Sequence, residues 1–197
     1  KSYPKPFKND LALCLKEGVD IIFHPEAKQM YPEGYKTYIE VKELSDLLCA
    51  KSRPGHFKGV ATIVTKLFNI VQPDTAYFGQ KDAQQAVIIK KMVKDLNIPV
   101  EIKVMPIVRG KDDLAMSSRN AYLSAQGKND ALVLYQSLNL AKDLIKKGVR
   151  DPHKIINSMR GLIQNNKAAR IEYIAIVDSE NLKPIERIKN HCLIALA

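Results

Sequence analysis

The chain has 197 residues, 46% apolar and 26% charged, with 9 Gly, 10 Pro and no Trp, which excludes collagen-like, low-complexity and disordered classes and leaves enough chain to bury a core. Its apolar runs are too short and too interrupted for a bilayer span, so no membrane partner is expected. The formal net charge is +10, but the lysines are strewn along the whole chain. That pattern fits a solvated surface attractive to small anions better than a nucleic-acid interface.

Asn9 to Lys16 places Leu11, Ala12 and Leu15 on one helical face before the stop at Gly18, and the apolar run VDIIF then predicts a short strand ending at Pro25. TYIEV predicts a second strand, and Glu43 to Lys51 a helix closed off before Pro54. Residues 56–71 carry Phe57, Val60, Val64, Leu67, Phe68 and Val71 at i, i+3, i+4 spacing, the mark of a long helix with one buried face. PDTAYFG is a strand. QKDAQQAVIIKKMVKDLN is a helix with Ala86, Ile89, Val93 and Leu96 inward, and PVEIKVMPIV is the next strand. Helix and strand alternating over residues 1–108 argue for a parallel sheet covered by helices. Beyond Val108 a polar turn leads into helices Gln126–Lys147 and Pro152–Lys167. The strand IEYIAIVD follows, with HCLIALA as its partner, so residues 109–197 read as a smaller α+β domain hinged near residue 108.

Cys14, Cys49 and Cys192 are odd in number, far apart and without a Cys-x-x-Cys pair, so neither a disulfide framework nor a zinc site is expected and the setting reads as a reducing cytoplasm. His24, His56, His153 and His191 show no ligand spacing, and no metal site is assigned. The first twenty residues lack the features of a signal peptide. The chain starts on Lys1 and stops within an apolar run, from which we expect a piece of a longer protein.

AYFGQKDAQQ passes from a strand through Gly79 into a helix start, where unpaired N–H groups and the helix dipole favour an anion, and Lys81 adds a full charge. The same residues also make a plain strand-to-helix turn, with Asp82 as N-cap and Gln85 completing a capping box. Met116-Ser117-Ser118-Arg119 offers two hydroxyls and a guanidinium to phosphate oxygens, or a serine-capped turn. RPGHFKG reads first as a helix entry with Pro and Gly, and second as a source of functional side chains in Arg53 and His56. Asp112 and Asp113 read as a solvated turn.

Together the strings GVDIIFHPEAKQMYPEGY, LCAKSRPGHFKGVATIVTKLFNIVQPDTAYFGQKDAQQ, PVEIKVMPIVR and LAMSSRNAYLS resemble the pantoate-beta-alanine ligase family over nearly the whole chain. The resemblance implies an α/β fold with a Rossmann-like parallel sheet of nucleotidyltransferase type and a smaller C-terminal α+β lid. It implies ATP-dependent joining of pantoate to beta-alanine through a pantoyl adenylate, with Mg2+ accompanying ATP and a cytoplasmic homodimer as the working form. By matching motif, Gly79, Gln80, Lys81 and Asp82 stand in the ATP-binding segment. Gln85 stands at a pantoate-binding position, Val108 at a backbone contact to adenine, and Met116, Ser117, Ser118 and Arg119 in the phosphate-gripping loop. Lys81 and Arg119 are the implied charge-stabilising catalytic residues.

The family's His-x-Gly-His motif, an upstream pantoate glutamine and acidic residues associated with magnesium have no counterpart here, from which we expect this chain alone not to complete adenylation. Ala50, Gly110 and Asp113 stand where the family usually has Gly, an acidic residue and Gly. Two other readings remain: a related nucleotidyltransferase with a phosphate acceptor, and a basic nucleic-acid-binding module, which the lack of aromatic-interleaved basic patches disfavours.

Overall fold

A computed structural model describes residues 7–197; the part of the leader reading that rests on residues 1–6 lies outside them. In chain order the elements are α1 (Phe7–Lys16), α2 (Ala27–Met30), α3 (His56–Val71), β1 (Thr75–Gly79), α4 (Ala83–Asp95), β2 (Glu101–Met105), α5 (Ala125–Lys146), α6 (Pro152–Gln164), β3 (Ile174–Val177) and β4 (Leu193–Leu196), with 3₁₀ turns at Leu44–Asp46, Leu48–Ser52, Gln80–Asp82 and Ser118–Tyr122. β1 and β2 pair in parallel from Thr75–Glu101 to Gly79–Met105. α4 is the crossover that such pairing requires. β3 and β4 pair antiparallel from Ile174–Leu196 to Val177–Leu193, as the terminal apolar run predicts.

Local chemistry sets the helix ends. Gly55 enters α3 at φ 75°, a left-handed conformation that glycine adopts without penalty. Ser124 caps α5 by accepting from the Gly127 amide, and Asp151 caps α6 by accepting from the His153 and Lys154 amides, with Pro152 in the first turn where its missing N–H costs nothing.

Two hydrophobic cores result. The first joins Phe57, Ala61 and Phe68 of α3 to Ile88, Ile89 and Met92 of α4, backed by Ala76, Phe78 and Ile102 of the parallel pair; it also takes in Val177 and Leu182. The second packs Val133 and Ala141 of α5 against Ile155, Met159 and Ile163 of α6, over Ile174 and Ile176. Each fully buried Ile or Met contributes about 1.5–3 kcal/mol. β3 alternates between them, because strand side chains point to opposite faces. Residues 41–104 supply most of the first core and residues 133–196 make the second, while β3 is shared.

Several expected elements take other forms. Val19–Phe23 and Thr37–Val41 form no strand among the described residues: Ile21 is 83% exposed, and the Ile39 amide donates to Thr62 Oγ1 on α3 at 2.9 Å instead of to another strand. The helix expected over Glu43–Lys51 is broken into two 3₁₀ turns, because Glu43 at φ 65° and Leu48 at φ 47° leave helical space. In α1 no residue is buried, and Leu15 is exposed. Val71 and Leu96, expected inward, are exposed at helix ends, and Ile88 and Met92 fill the interior of α4. The parallel pair carries its helices on one face, leaving Tyr77 and Met105 exposed on the other.

Candidate active site

The path from β1 into α4 tightens into a single 3₁₀ turn over Gln80–Asp82. Asp82 occupies the N-cap position of α4, but its side chain makes no cap hydrogen bond. The capping-box alternative is thereby set aside, and the Asp82 carboxylate and Gln85 amide are left for the cleft. Gly79 has an ordinary extended backbone at φ −83°, ψ 134°, and a Cβ there meets nothing within 4 Å. The backbone does not demand glycine at this position; the effect of glycine is to leave open space beside the turn.

The cleft, of about 380 Å³, lies between this turn, the Leu48–Ser52 region, the start of α3, the body of α5 and β4. Gln80, Lys81, Asp82 and Gln85 line it, together with Arg53, His56, Arg109, Tyr135 and Tyr173. Three permanent cations, Arg53, Lys81 and Arg109, face one acidic side chain, Asp82, so the wall favours anionic ligands. The Lys81 ammonium stands 3.9 Å from the Asp82 carboxylate, both largely exposed, a loose pair that leaves the lysine available to a stronger anion.

Arg53 and His56 belong to one device. The Arg53 guanidinium lies 3.2 Å from His56 Nε2, and since a guanidinium can only donate, Nε2 is the acceptor and the imidazole proton sits on Nδ1. Burial, and then the charge of Arg53, hold the imidazole below its ordinary pKa, so His56 is neutral at neutral pH. Burial raises the pKa of the Cys49 thiol and of the Tyr173 phenol, which keeps both protonated and makes Cys49 a poor nucleophile.

Gln84, beside Gln85, is scaffold. It is 6% exposed; its amide nitrogen donates to the carbonyls of Leu44 at 3.0 Å and Leu47 at 2.7 Å, and its oxygen accepts from the Cys49 amide at 3.2 Å and thiol at 3.1 Å. These bonds tie the 3₁₀ segment to α4 and so fix one wall of the cleft. Sequence reasoning missed Gln84, Arg109, Tyr135 and Tyr173, which no local motif marks. Arg53 and His56, the lesser functional candidates of the helix entry, line the cleft as a cation and an imidazole at i, i+3.

The second predicted segment stands differently. Arg109 bridges to Ala115, and the Met116 amide donates to the Val108 carbonyl at 2.9 Å. Leu114 and Ala115 line the cleft. Gly79, Val108 and the stretch Met116–Arg119 do not, the latter starting one residue past Ala115; Val108 and Met116 are 66% and 61% exposed. Ser117 caps the following 3₁₀ turn by accepting from the Arg119 amide at 3.3 Å, as the serine-turn alternative expects. Asp113 has φ 64°, so the aspartate occupies a glycine-like conformation where the family usually has glycine. A Cβ on Gly110 would come within 2.6 Å of Asp112 Oδ1, because the Asp112 side chain has folded into that space.

A sequence profile described as Pantoate-beta-alanine ligase matches residues 1–197. The pantothenate synthetase of Caldicellulosiruptor saccharolyticus is 56% identical over 195 residues, which cover 99% of this chain and 69% of that protein. That of Thermosipho melanesiensis is 51% identical, with 100% and 70% covered. Among solved structures, the Thermus thermophilus pantothenate synthetase superposes with a TM-score of 0.93 at 39% identity, covering 99% of this chain and 71% of that one. The Francisella tularensis pantoate-beta-alanine ligase, complexed with beta-gamma ATP and beta-alanine, superposes at 0.67 with 30% identity, covering 98% and 66%.

Proposed function

The chain belongs to the pantoate-beta-alanine ligase family, and from that premise we propose how its own residues serve the ATP-dependent joining of pantoate to beta-alanine. The observation that carries the reading is the cleft in which Lys81, Asp82 and Gln85 meet Arg53 and Arg109. Pantoate and ATP are both anionic, and a cationic wall screens their repulsion while aligning them.

The pantoate carboxylate attacks the α-phosphorus of ATP, pyrophosphate leaves, and the beta-alanine amine then attacks the acyl carbon of the adenylate and releases AMP. Lys81 neutralises charge building on the phosphates, an effect felt most in the transition state. Gly79, Gln80 and Asp82 form the ATP-side turn, with Asp82 toward the ribose, and Gln85 hydrogen-bonds pantoate. Val108 presents its backbone to adenine. Met116, Ser117, Ser118 and Arg119 close on the phosphates from the other side, brought inward when the smaller domain, 109–197, moves over 1–108 and keeps water from the mixed anhydride.

Mg2+ fits this site as an ion carried on the triphosphate: among the described residues no three of His, Cys, Asp and Glu gather, and Asp82 is the acidic side chain at hand. Magnesium keeps several waters and leans on substrate phosphates in such settings, where it supplies charge neutralisation. A cytoplasmic setting belongs to the same proposal, on the family resemblance alone.

A homodimer completes it. The segment Lys36–Glu40 (KTYIE) lies largely at the surface outside any helix or strand, and no backbone hydrogen bond joins the amides of Lys36, Tyr38 and Glu40 to other described residues. Paired antiparallel with a second copy about Tyr38, each Lys36 meets a Glu40. The deciding experiment for the reaction is pantoate-dependent exchange of pyrophosphate into ATP. Exchange that needs pantoate supports the assignment, and exchange driven by a phosphate acceptor instead would overturn it.

A further inference from the structure

We propose that Arg109 is a positioning residue that locks the loop 110–115 against α5 and thereby sets the stance of Met116–Arg119. The proposal rests on the reading of that stretch as the phosphate-gripping segment. Three contacts converge on one side chain. The Arg109 guanidinium lies 3.9 Å from the centroid of the Tyr135 ring on α5, well inside cation–π range. Its Nη1 donates to the Asp113 carbonyl at 3.1 Å, at the residue whose φ of 64° makes the turn. Its backbone bridges to Ala115, next to the Met116 amide that donates to the Val108 carbonyl.

The loop is closed from within as well. The Gly110 amide donates to the Leu114 carbonyl at 2.8 Å, and Asp112 Oδ1 accepts from the Leu114 amide at 3.3 Å. On the far side Asn120 Nδ2 donates to the Ala115 carbonyl at 3.0 Å. Arg109 is the group that joins this closed loop to the helix layer of the second core. A planar guanidinium can stack on an aromatic face and keep an in-plane N–H for a carbonyl, whereas an ammonium does not reproduce that geometry. The loop and α5 are thus tied at a point beside the cleft, and a shift of α5 is transmitted to the segment that follows Ala115.

The test compares Arg109→Lys, Tyr135→Leu, Tyr135→Phe and the Arg109→Lys/Tyr135→Leu double variant in the full-length enzyme, reading KM for ATP, kcat, and the rate of limited tryptic cleavage at Lys111 and Arg119 with ATP present. Arg109→Lys and Tyr135→Leu should each raise the KM for ATP about 10-fold and speed cleavage by a similar factor, the double variant should be no worse than either, and Tyr135→Phe, which keeps the aromatic face, should retain the slow wild-type cleavage. Tolerance of Arg109→Lys, or additive effects in the double variant, would mean that Arg109 acts through its charge alone, without the stacked geometry, and would overturn the proposal. Arg119→Ala in the same assays separates the two readings: wild-type kinetics in that variant sink the phosphate-gripping role, while the cleavage rates still decide whether Arg109 orders the loop.

Discussion

Adjacent glutamines with opposite jobs give the sharpest expectation. Gln84→Leu fills a similar volume but removes an amide that serves the Leu44 and Leu47 carbonyls and the Cys49 amide. An orphaned buried group costs about 1–3 kcal/mol. Water can reach the half-buried Leu47 and Cys49 groups, which places each near the lower end, so the whole loss comes to about 3 kcal/mol. In a chain of this size that is a fall in Tm of roughly 6–12 °C. Gln85→Leu removes an amide that makes no hydrogen bond to other described residues and is only partly buried, so its stability should change by no more than about 1 kcal/mol, while the KM for pantoate rises more than that for ATP. Urea unfolding at constant m separates stability from altered compactness. Equal destabilisation by both variants, or a Gln84→Leu protein as stable as wild type, would refute the division of labour.

Lys81→Ala should lower the adenylation rate about 10²- to 10³-fold, by analogy with loss of one preorganised donor; single-turnover kinetics check this, and a change confined to ATP affinity would deny the transition-state role. His56 has a folded-state pKa below its ordinary value, so the unfolded chain binds the extra proton first. Its contribution to stability is present above the ordinary imidazole pKa and is lost as pH falls through the folded-state value. His56→Gln should therefore flatten the acid side of the stability profile in that window, seen by thermal melts across pH. Lys36→Glu should weaken self-association, and Lys36→Glu/Glu40→Lys should restore it; sedimentation equilibrium reads both, and an unchanged dimer in the single variant would move the contact elsewhere.

The long periodic segments were legible because burial there is set by local spacing: α3 and α4 appear where their apolar faces predict, and β4 finds β3. VDIIF and TYIEV misled because an apolar run specifies extended backbone but not the neighbour that turns it into a strand. Glu43–Lys51 misled because Gln84, 35 to 40 residues away in sequence, pulls the Leu44 and Leu47 carbonyls and the Cys49 amide toward itself, which no local propensity records. At the cleft, the turn after AYFG was readable from a strand, a glycine and a lysine in order. Arg109 and Tyr135 were not, since they come from separate elements and meet only through tertiary packing.

Strand β3 has one further consequence. Ile174 and Ile176 are buried with α5 and α6, while Ala175 and Val177 sit with α3 and α4, so any swing of the C-terminal half must peel one set of these side chains off its neighbours or carry the ribbon along with one side. A rearrangement of α5 and α6 relative to α3 and α4 therefore has to be accommodated at this strand, whose side chains belong to both cores.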